Sequence, residues 1–296
     1  MRTIQISDSQ LSIWYDCRRR YGYEKIDRYR LIGSKPEHMQ EGSVIHKMME
    51  VYYGLGIPKE GVETPNISDR LEAALDMAIK FSSLDEGIDL TGARLQFLKD
   101  SFVQYVDHHK NDGWIPRAVE QFFSVLLYET EDTENGEGIR ILYEGIVDLL
   151  VEIIGEEGLI PVDHKSSSSF KRIRHPSILS GQFIGYAVGL DTTKVVENKF
   201  GLQTSYPPPQ RFIRHPITYD EQVLEEWKGW TVVQALQMDQ AIQLGYFEPN
   251  YKSCFKCPFT SVCYTRPSLR EWKLTKDFIK LPPSVKKTYK AWSYDD

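Results

Sequence analysis

Four cysteines constrain this chain more than any other feature of its sequence. Cys254, Cys257 and Cys263 lie in SCFKCPFTSVCYT, a C-x2-C-x5-C run, and the fourth, Cys17, stands 254 − 17 = 237 residues upstream in WYDCRRRYGYEK. A C-x2-C pair in a turn presents two thiolates to one metal centre, and two more complete the shell of tetrahedral zinc or of an iron–sulfur cluster. If all four serve one centre, both ends of a 296-residue chain must meet in space, and metal binding then counts as folding free energy. The competing reading, small buried hydrophobes, leaves unexplained why three crowd into ten residues beside Pro258. Four cysteines are too few for a disulfide scaffold in a chain this long.

Composition narrows the class. Apolar residues at 41 % and charged residues at 26 % exclude disordered, collagen-like and low-complexity chains. No run approaches the roughly 18 uncharged apolar residues of a membrane span, and the start, MRTIQISDSQ, has no secretory apolar core. The expectation is a cytoplasmic protein with no membrane partner. A net charge of −6 argues against coating nucleic acid through bulk positive charge. Local basic clusters remain: Arg18 to Arg20 with Lys25 and Arg28; Lys171, Arg172 and Arg174; and Arg211, Arg214 and His215. Such groups either meet phosphates or cover solvated helix faces.

Hydrophobic spacing predicts helices over 8–32, 41–55, 68–84 and 91–111, so the first third is mainly helical. Segments 119–130, 139–154 and 158–164 are β-branched and aromatic, with ENGEG and GEEG turn signals between them, and read as a strand meander. A helix near 177–190, strands near 194–203 and 210–217, and a long helix over 219–245 follow. The expected organisation is a single domain over 1–296. It comprises a helical part (1–118), a sheet (119–217), a helix with the cysteine cluster (218–264) and a loosely held tail (265–296, above all from 281).

The acidic candidates are Asp148 in EGIVDLL and Asp163 in LIPVDHK, with Lys165 two residues beyond. In adjacent antiparallel strands such positions meet at one edge, where two carboxylates attract a hard divalent cation. Lys165 shares the face of Asp163, because strand side chains repeat every two residues, and is placed to hold and help deprotonate a water activated by that ion. Four acid-x-Lys triplets occur, at Asp163, Glu197, Glu226 and Glu271. Only the first follows an apolar strand, has a second strand acid upstream and precedes a helix with Gln182 and Tyr186 at i, i+4. The bland alternative is a solvated hairpin face with a surface ion pair worth under about 1 kcal/mol. His46 on its helix and Glu120 at a strand start are each unspecific alone.

Taken in order, His46 in G-x3-H, Asp148 in GIVD, Asp163-His164-Lys165 and Gln182-Phe183-Ile184-Gly185-Tyr186 resemble the motifs of RecB-like PD-(D/E)xK nucleases. Cys17 with the C-x2-C-x5-C run resembles the iron–sulfur clasp of CRISPR-associated RecB-like exonucleases and AddB-type helicase–nucleases. The resemblance implies an α/β (α+β mixed) fold: a central mixed sheet flanked by helices, a restriction-endonuclease-like core, a helical N-terminal third and a cysteine clasp joining the termini. It implies a metal-dependent deoxyribonuclease acting on single-stranded or end-containing DNA. By carry-over His46, Asp148, Asp163 and the carbonyl of His164 bind Mg2+ or Mn2+, Lys165 positions water, Gln182 and Tyr186 support the site, and Cys17, Cys254, Cys257 and Cys263 hold a 4Fe-4S cluster. No G-x4-G-K-[ST] loop is present, which excludes a complete helicase–nuclease. A catalytically weak DNA-end binding or adaptor module in a recombination or CRISPR-adaptation complex is the competing function, and zinc the competing metal for the thiols. Trp14, Tyr15, Tyr21 and Tyr23 are candidates for base stacking or for core.

Overall fold

The computed structural model describes residues 1–33, 36–84, 90, 92–132 and 137–282. In chain order the elements are β1 (Arg2–Ile6), α1 (Asp8–Asp16), α2 (Arg18–Tyr21), a π-helical turn (Gly22–Ile26), β2 (Tyr29–Leu31), α3 (Glu37–Gly54), α4 (Ile67–Leu84), α5 (Gly92–His109), β3 (Trp114–Glu129), β4 (Ile139–Ile153) and β5 (Ile160–Ser167). Then come α6 (Phe170–Arg174), α7 (Gly181–Gly189), β6 (Lys194–Gly201), α8 (Pro208–Arg211), β7 (Phe212–Thr218), α9 (Glu221–Leu244), α10 (Thr260–Tyr264), α11 (Arg270–Asp277) and β8 (Phe278–Lys280), with 3-10 turns at Tyr251–Lys256 and Pro267–Leu269. The fold is mixed α/β with a central mixed sheet flanked by helices.

Two compact units emerge, each drawn from separate stretches: residues within 1–33, 124–145 and 225–282 form the smaller, and residues within 36–123 and 146–224 the larger. In the larger unit β5 pairs antiparallel with β4, parallel with β6, and β6 antiparallel with β7. Helix α3 buries Val44, Ile45, Met48, Met49, Val51 and Tyr52, the stripe of an amphipathic helix, in one core with Leu98, Phe102, Tyr105 and Val106 of α5 and Leu149, Val151, Val162 and Phe200 of the sheet. In the smaller unit β1 runs parallel to the first part of β4, with Arg2 opposite Ile139 and Ile6 opposite Tyr143. A satellite core there joins Phe259, Val262, Leu274 and Phe278. Among the described residues no helix is long and apolar enough to cross a membrane.

Two expectations need correction, and one element is new. The single helix over 8–32 is broken: Cys17 is extended (φ −166°, ψ 117°), so α1 ends before it, and the chain turns through a π-helical segment into β2. The helix near 177–190 starts only at Gly181, because Pro176 and the serines around it hold a loop, and the short α6 precedes it. Strand β1, with its alternating RTIQI burial, was absent from the sequence reading. The tail from 283 on and most of the ENGEG turn lie outside the described residues.

Helix α7 buries Phe183, Ile184, Gly185, Tyr186, Ala187 and Val188. At its last position, Gly189, an added Cβ would overlap the ring of Phe123, itself buried on β3. Gly189→Ala should therefore cost about 1–3 kcal/mol by overpacking. Urea unfolding checks it: the midpoint should fall with the slope unchanged.

Candidate active site

Leu149 of β4 lies opposite Val162 of β5, so one step along the pair brings Asp148 beside Asp163. Asp163 is only 1 % exposed. Its Oδ1 accepts from Gln182 Nε2 at 2.9 Å and from the Tyr186 hydroxyl at 3.0 Å. Its Oδ2 stands 2.6 Å from Lys165 Nζ, a charge-assisted contact. The ammonium of Lys165 only donates, so Gln182 must turn Oε1 toward it, at 2.8 Å, and Nε2 toward Asp163 and the Tyr186 oxygen, at 2.7 Å. The Tyr186 hydroxyl also reaches the Ile146 carbonyl on β4 at 2.9 Å. One helical turn of α7 thereby locks the two strands and the lysine into a single arrangement.

Asp148 Oδ2 accepts the backbone N–H of His164 at 2.7 Å and lies 3.4 Å from Nδ1 of His46 on α3. The His164 side chain points to the other face of the sheet, where its ring stacks on Tyr53 (centroids 5.7 Å, 13°). Its Nδ1 lies 2.7 Å from the amide nitrogen of Asn198, which also donates to the Tyr105 hydroxyl at 2.9 Å. The amide donates, so Nδ1 accepts and the imidazole is neutral with its proton on Nε2. Burial, pushing the His164 ring down to about 3, agrees.

The two carboxylates are driven apart. Burial, and then the neighbouring Asp148, push Asp163 up to about 6. For Asp148 burial acts in the same direction, but His46 and the His164 amide outweigh it and hold the group down at about 2. Burial opposes charge on Lys165 and on His46 too; Asp163 and Asp148 respectively outweigh it, and both rise. A lysine raised in this way is an ammonium, so it donates to water or phosphate oxygen and does not accept a proton. Lys165 would therefore favour loss of a proton from a bound water by stabilising the hydroxide rather than by taking the proton itself.

The structure thus gathers His46, Asp148, Asp163, Lys165, Gln182 and Tyr186, while His164 contributes backbone. Glu120 lies in β3 with a left-handed φ of 49°, a local kink of the kind that re-aims a side chain. Trp14 and Tyr21 are core, Tyr23 packs on Phe259, and only Tyr15 is exposed, stacked on Trp230 at 4.8 Å. In the smaller unit all four cysteines line one small cavity. The Asn250 N–H points at Cys17 Sγ at 3.3 Å, and burial, with Cys17 and Cys263 nearby, pushes the Cys257 thiol up.

Among the described residues, no three His, Cys, Asp or Glu side chains stand close enough as placed to hold a metal ion. The donors nevertheless fit a hard divalent cation: two carboxylates, one of them with a buried oxygen held only by an ammonium, and an imidazole facing the other. The Lys165 ammonium occupies the place of positive charge at Asp163 Oδ2.

Sequence reasoning passed over Glu197-Asn198-Lys199, which the structure buries beside Asp163-His164-Lys165. The available signal was three consecutive polar residues between the apolar pairs of β6, KVVENKFG.

The family model of the PD-(D/E)XK nuclease superfamily matches residues 5–264. No curated protein matches the chain. Among solved structures, a putative exonuclease from Eubacterium rectale is similar at 14 % identity and TM-score 0.48, over 89 % of this chain and 90 % of that one. The alkaline exonuclease LHK-Exo from Laribacter hongkongensis is similar at 11 % identity and TM-score 0.31, over 70 % and 97 %. A phage-related exonuclease from Haemophilus somnus matches at 16 % identity and TM-score 0.29, over 68 % and 95 %.

The split between the carboxylates predicts a pH signature in EDTA. Asp163 binds its proton more tightly folded than unfolded, where its pKa is about 3.9. Its stabilising contribution is therefore present at low pH and lost as pH rises from ~4 to about 6. Asp148 behaves oppositely, its contribution being present above ~4 and lost as pH falls toward about 2. Asp163→Asn should gain Tm relative to the parent as pH rises from ~4 to ~6; thermal scans showing a constant gap would contradict the assignment.

Proposed function

Because the chain belongs to the PD-(D/E)XK nuclease superfamily, we propose that it is a metal-dependent deoxyribonuclease of the RecB-like, CRISPR-associated exonuclease type, acting in the cytoplasm on single-stranded DNA ends. The observation that carries this reading is the convergence of Asp148, Asp163 and Lys165 with Gln182 bridging lysine and carboxylate. A surface ion pair has no need of a 1 % exposed aspartate or of a helix that spends two side chains holding it. A passive DNA-end binder has no need to crowd two acids where a phosphate must approach, which disfavours the adaptor reading.

In this proposal Asp148, Asp163, His46 and the carbonyl of His164 hold Mg2+ or Mn2+, which when bound supplies Lewis-acid polarisation of the phosphoryl group and a more acidic water. The chain's own residues do the rest. Lys165 Nζ, anchored on Asp163 and Gln182, has one remaining N–H, which donates to the attacking water. Asp148, ionised and fixed by the His164 amide, keeps its carboxylate aimed without reorganisation. Tyr186 shares its one hydroxyl proton between Asp163 Oδ1 and the Ile146 carbonyl and so braces β5 against β4.

We also propose that Cys17, Cys254, Cys257 and Cys263 hold a structural 4Fe-4S cluster. The shared cavity and the Asn250 N–H directed at Cys17 sulfur support it, since amide donors to sulfur favour thiolate in such centres. Tyr15 and Trp230, stacked and half-exposed, supply a surface on which a single-stranded base can stack for about 1–3 kcal/mol.

The test is degradation of end-labelled single-stranded DNA with Mn2+ or Mg2+, arrested by EDTA. Lys165→Ala should lower the rate about 10²–10³-fold, with the circular dichroism spectrum unchanged because Asp163 can take up a proton. An unchanged rate removes the site. Protein purified without oxygen should contain iron and sulfide and absorb broadly near ~400 nm, and Cys17→Ser should lose both; zinc in place of iron gives a colourless protein.

A further inference from the structure

The parallel pairing of β5 and β6 sets Asp163 opposite Glu197, His164 opposite Asn198 and Lys165 opposite Lys199. Two acid-x-Lys triplets therefore lie side by side with their acids and lysines on one face. The second pair is deeper: Glu197 is 1 % and Lys199 4 % exposed. Lys199 Nζ spends its three donors on Glu197 Oε1 (3.0 Å), the Arg172 carbonyl (2.5 Å) and the His175 carbonyl (3.0 Å). Glu197 accepts the Ser177 N–H and hydroxyl, both at 2.8 Å. A ring nitrogen of His215 on β7 holds the Ile173 carbonyl at 2.8 Å. The backbone from 172 to 177 is thus fixed by side chains of the sheet beneath it.

That stretch borders a cavity of about 650 Å3 that reaches Lys165 and is lined also by Lys171, Arg172, His175 and Ser167. Charge in its walls is unevenly spent. Lys165 is matched by Asp163 and Lys199 by Glu197. Lys171 and Arg172 are exposed and have no ion pair among the described residues. The cavity therefore offers two unmatched cations beside hydroxyls, next to the lysine that faces the reaction, in a volume that admits a nucleotide.

We infer that this cavity is a second phosphate site for the nucleic-acid strand, with Lys171 and Arg172 as its cationic rim and the buried Glu197–Lys199 pair as the positioning element that holds that rim. The inference rests on the nuclease reading for the identity of the strand. Its phosphate comes either from the backbone beside the scissile bond or from a phosphorylated strand end.

The test is equilibrium binding of labelled single-stranded DNA to the full chain in EDTA, across a salt series, with strands carrying a 5′-phosphate, a 3′-phosphate or neither. Lys171→Gln with Arg172→Gln should weaken binding several-fold and make the plot of log Kd against log salt shallower by about 0.7 for each lost contact. Glu197→Gln with Lys199→Met, which removes both buried charges together, should reduce the slope similarly, and combining the two changes should add little, as expected of one coupled unit. A role confined to stability leaves the slope where it was. Loss restricted to one phosphorylated end identifies a terminal phosphate; equal loss on all strands identifies the backbone. An unchanged slope in the Lys171/Arg172 variant, or a parent protein that binds no strand, overturns the inference. Cleavage is not the readout, so an inactive parent refutes the nuclease reading alone.

Discussion

A carboxylate buried to 1 % exposure in the middle of a sheet is the constraint from which the larger unit follows. Isolated, the charge of Asp163 would be expelled or neutralised, because burial of an ion without partners costs several kcal/mol. The surroundings answer in kind. β5 supplies an ammonium two residues on, α7 supplies an amide and a hydroxyl one turn apart, and β4 supplies a carbonyl that anchors the hydroxyl. Oδ2 of Asp163 is met by the Lys165 ammonium alone. An asparagine there would carry no charge to balance, so a buried carboxylate held by a lysine argues for a site that also takes a cationic ligand.

The same logic explains why α7 is so apolar. Gln182 and Tyr186 must reach a buried target, so the helix that carries them has to sink into the core, and it does so on Phe183, Ile184, Ala187 and Val188. Close approach to β3 then leaves no room for a side chain at Gly189. Position of the polar pair and packing of the apolar face are one requirement seen from two sides. In the smaller unit an analogous demand acts on backbone: Cys17 takes an extended conformation that ends α1, at the cost of helix continuity, and joins the three C-terminal thiols around one cavity.

Much of this was legible in the sequence wherever period and chemistry agreed. The α3, α4, α5 and α9 stripes, the β3–β4–β5 meander and the Asp163–Lys165 face follow from 3.6- and 2-residue spacing, and the Gln182–Tyr186 pair from a single turn of helix. Failures occur where a tertiary partner outvotes local pattern. The helical periodicity through residues 8–32 is real, yet nothing local says that Cys17 will be pulled out of line. Strand β1 is too short to be read by itself and exists because β4 offers an edge at Ile139 to Tyr143. The ion pair of Lys165 with a carboxylate 2.6 Å away is likewise a distance no spacing rule contains.

The paired triplets carry that lesson furthest. Asp163-His164-Lys165 and Glu197-Asn198-Lys199 have the same chemistry, the same strand position and the same face, and chance alone yields such triplets in a chain of this composition. What separates them is access and satisfaction. Lys199 gives every donor to protein oxygens and Glu197 both oxygens to one serine, so nothing is left for a ligand. Lys165 gives two donors, one to Gln182 and one to Asp163 Oδ2, keeps its third, and remains 39 % exposed at its side chain. A hydrogen-bond ledger therefore distinguishes a reactive triplet from a structural one where the motif cannot, because catalysis requires capacity held in reserve and a clasp requires none.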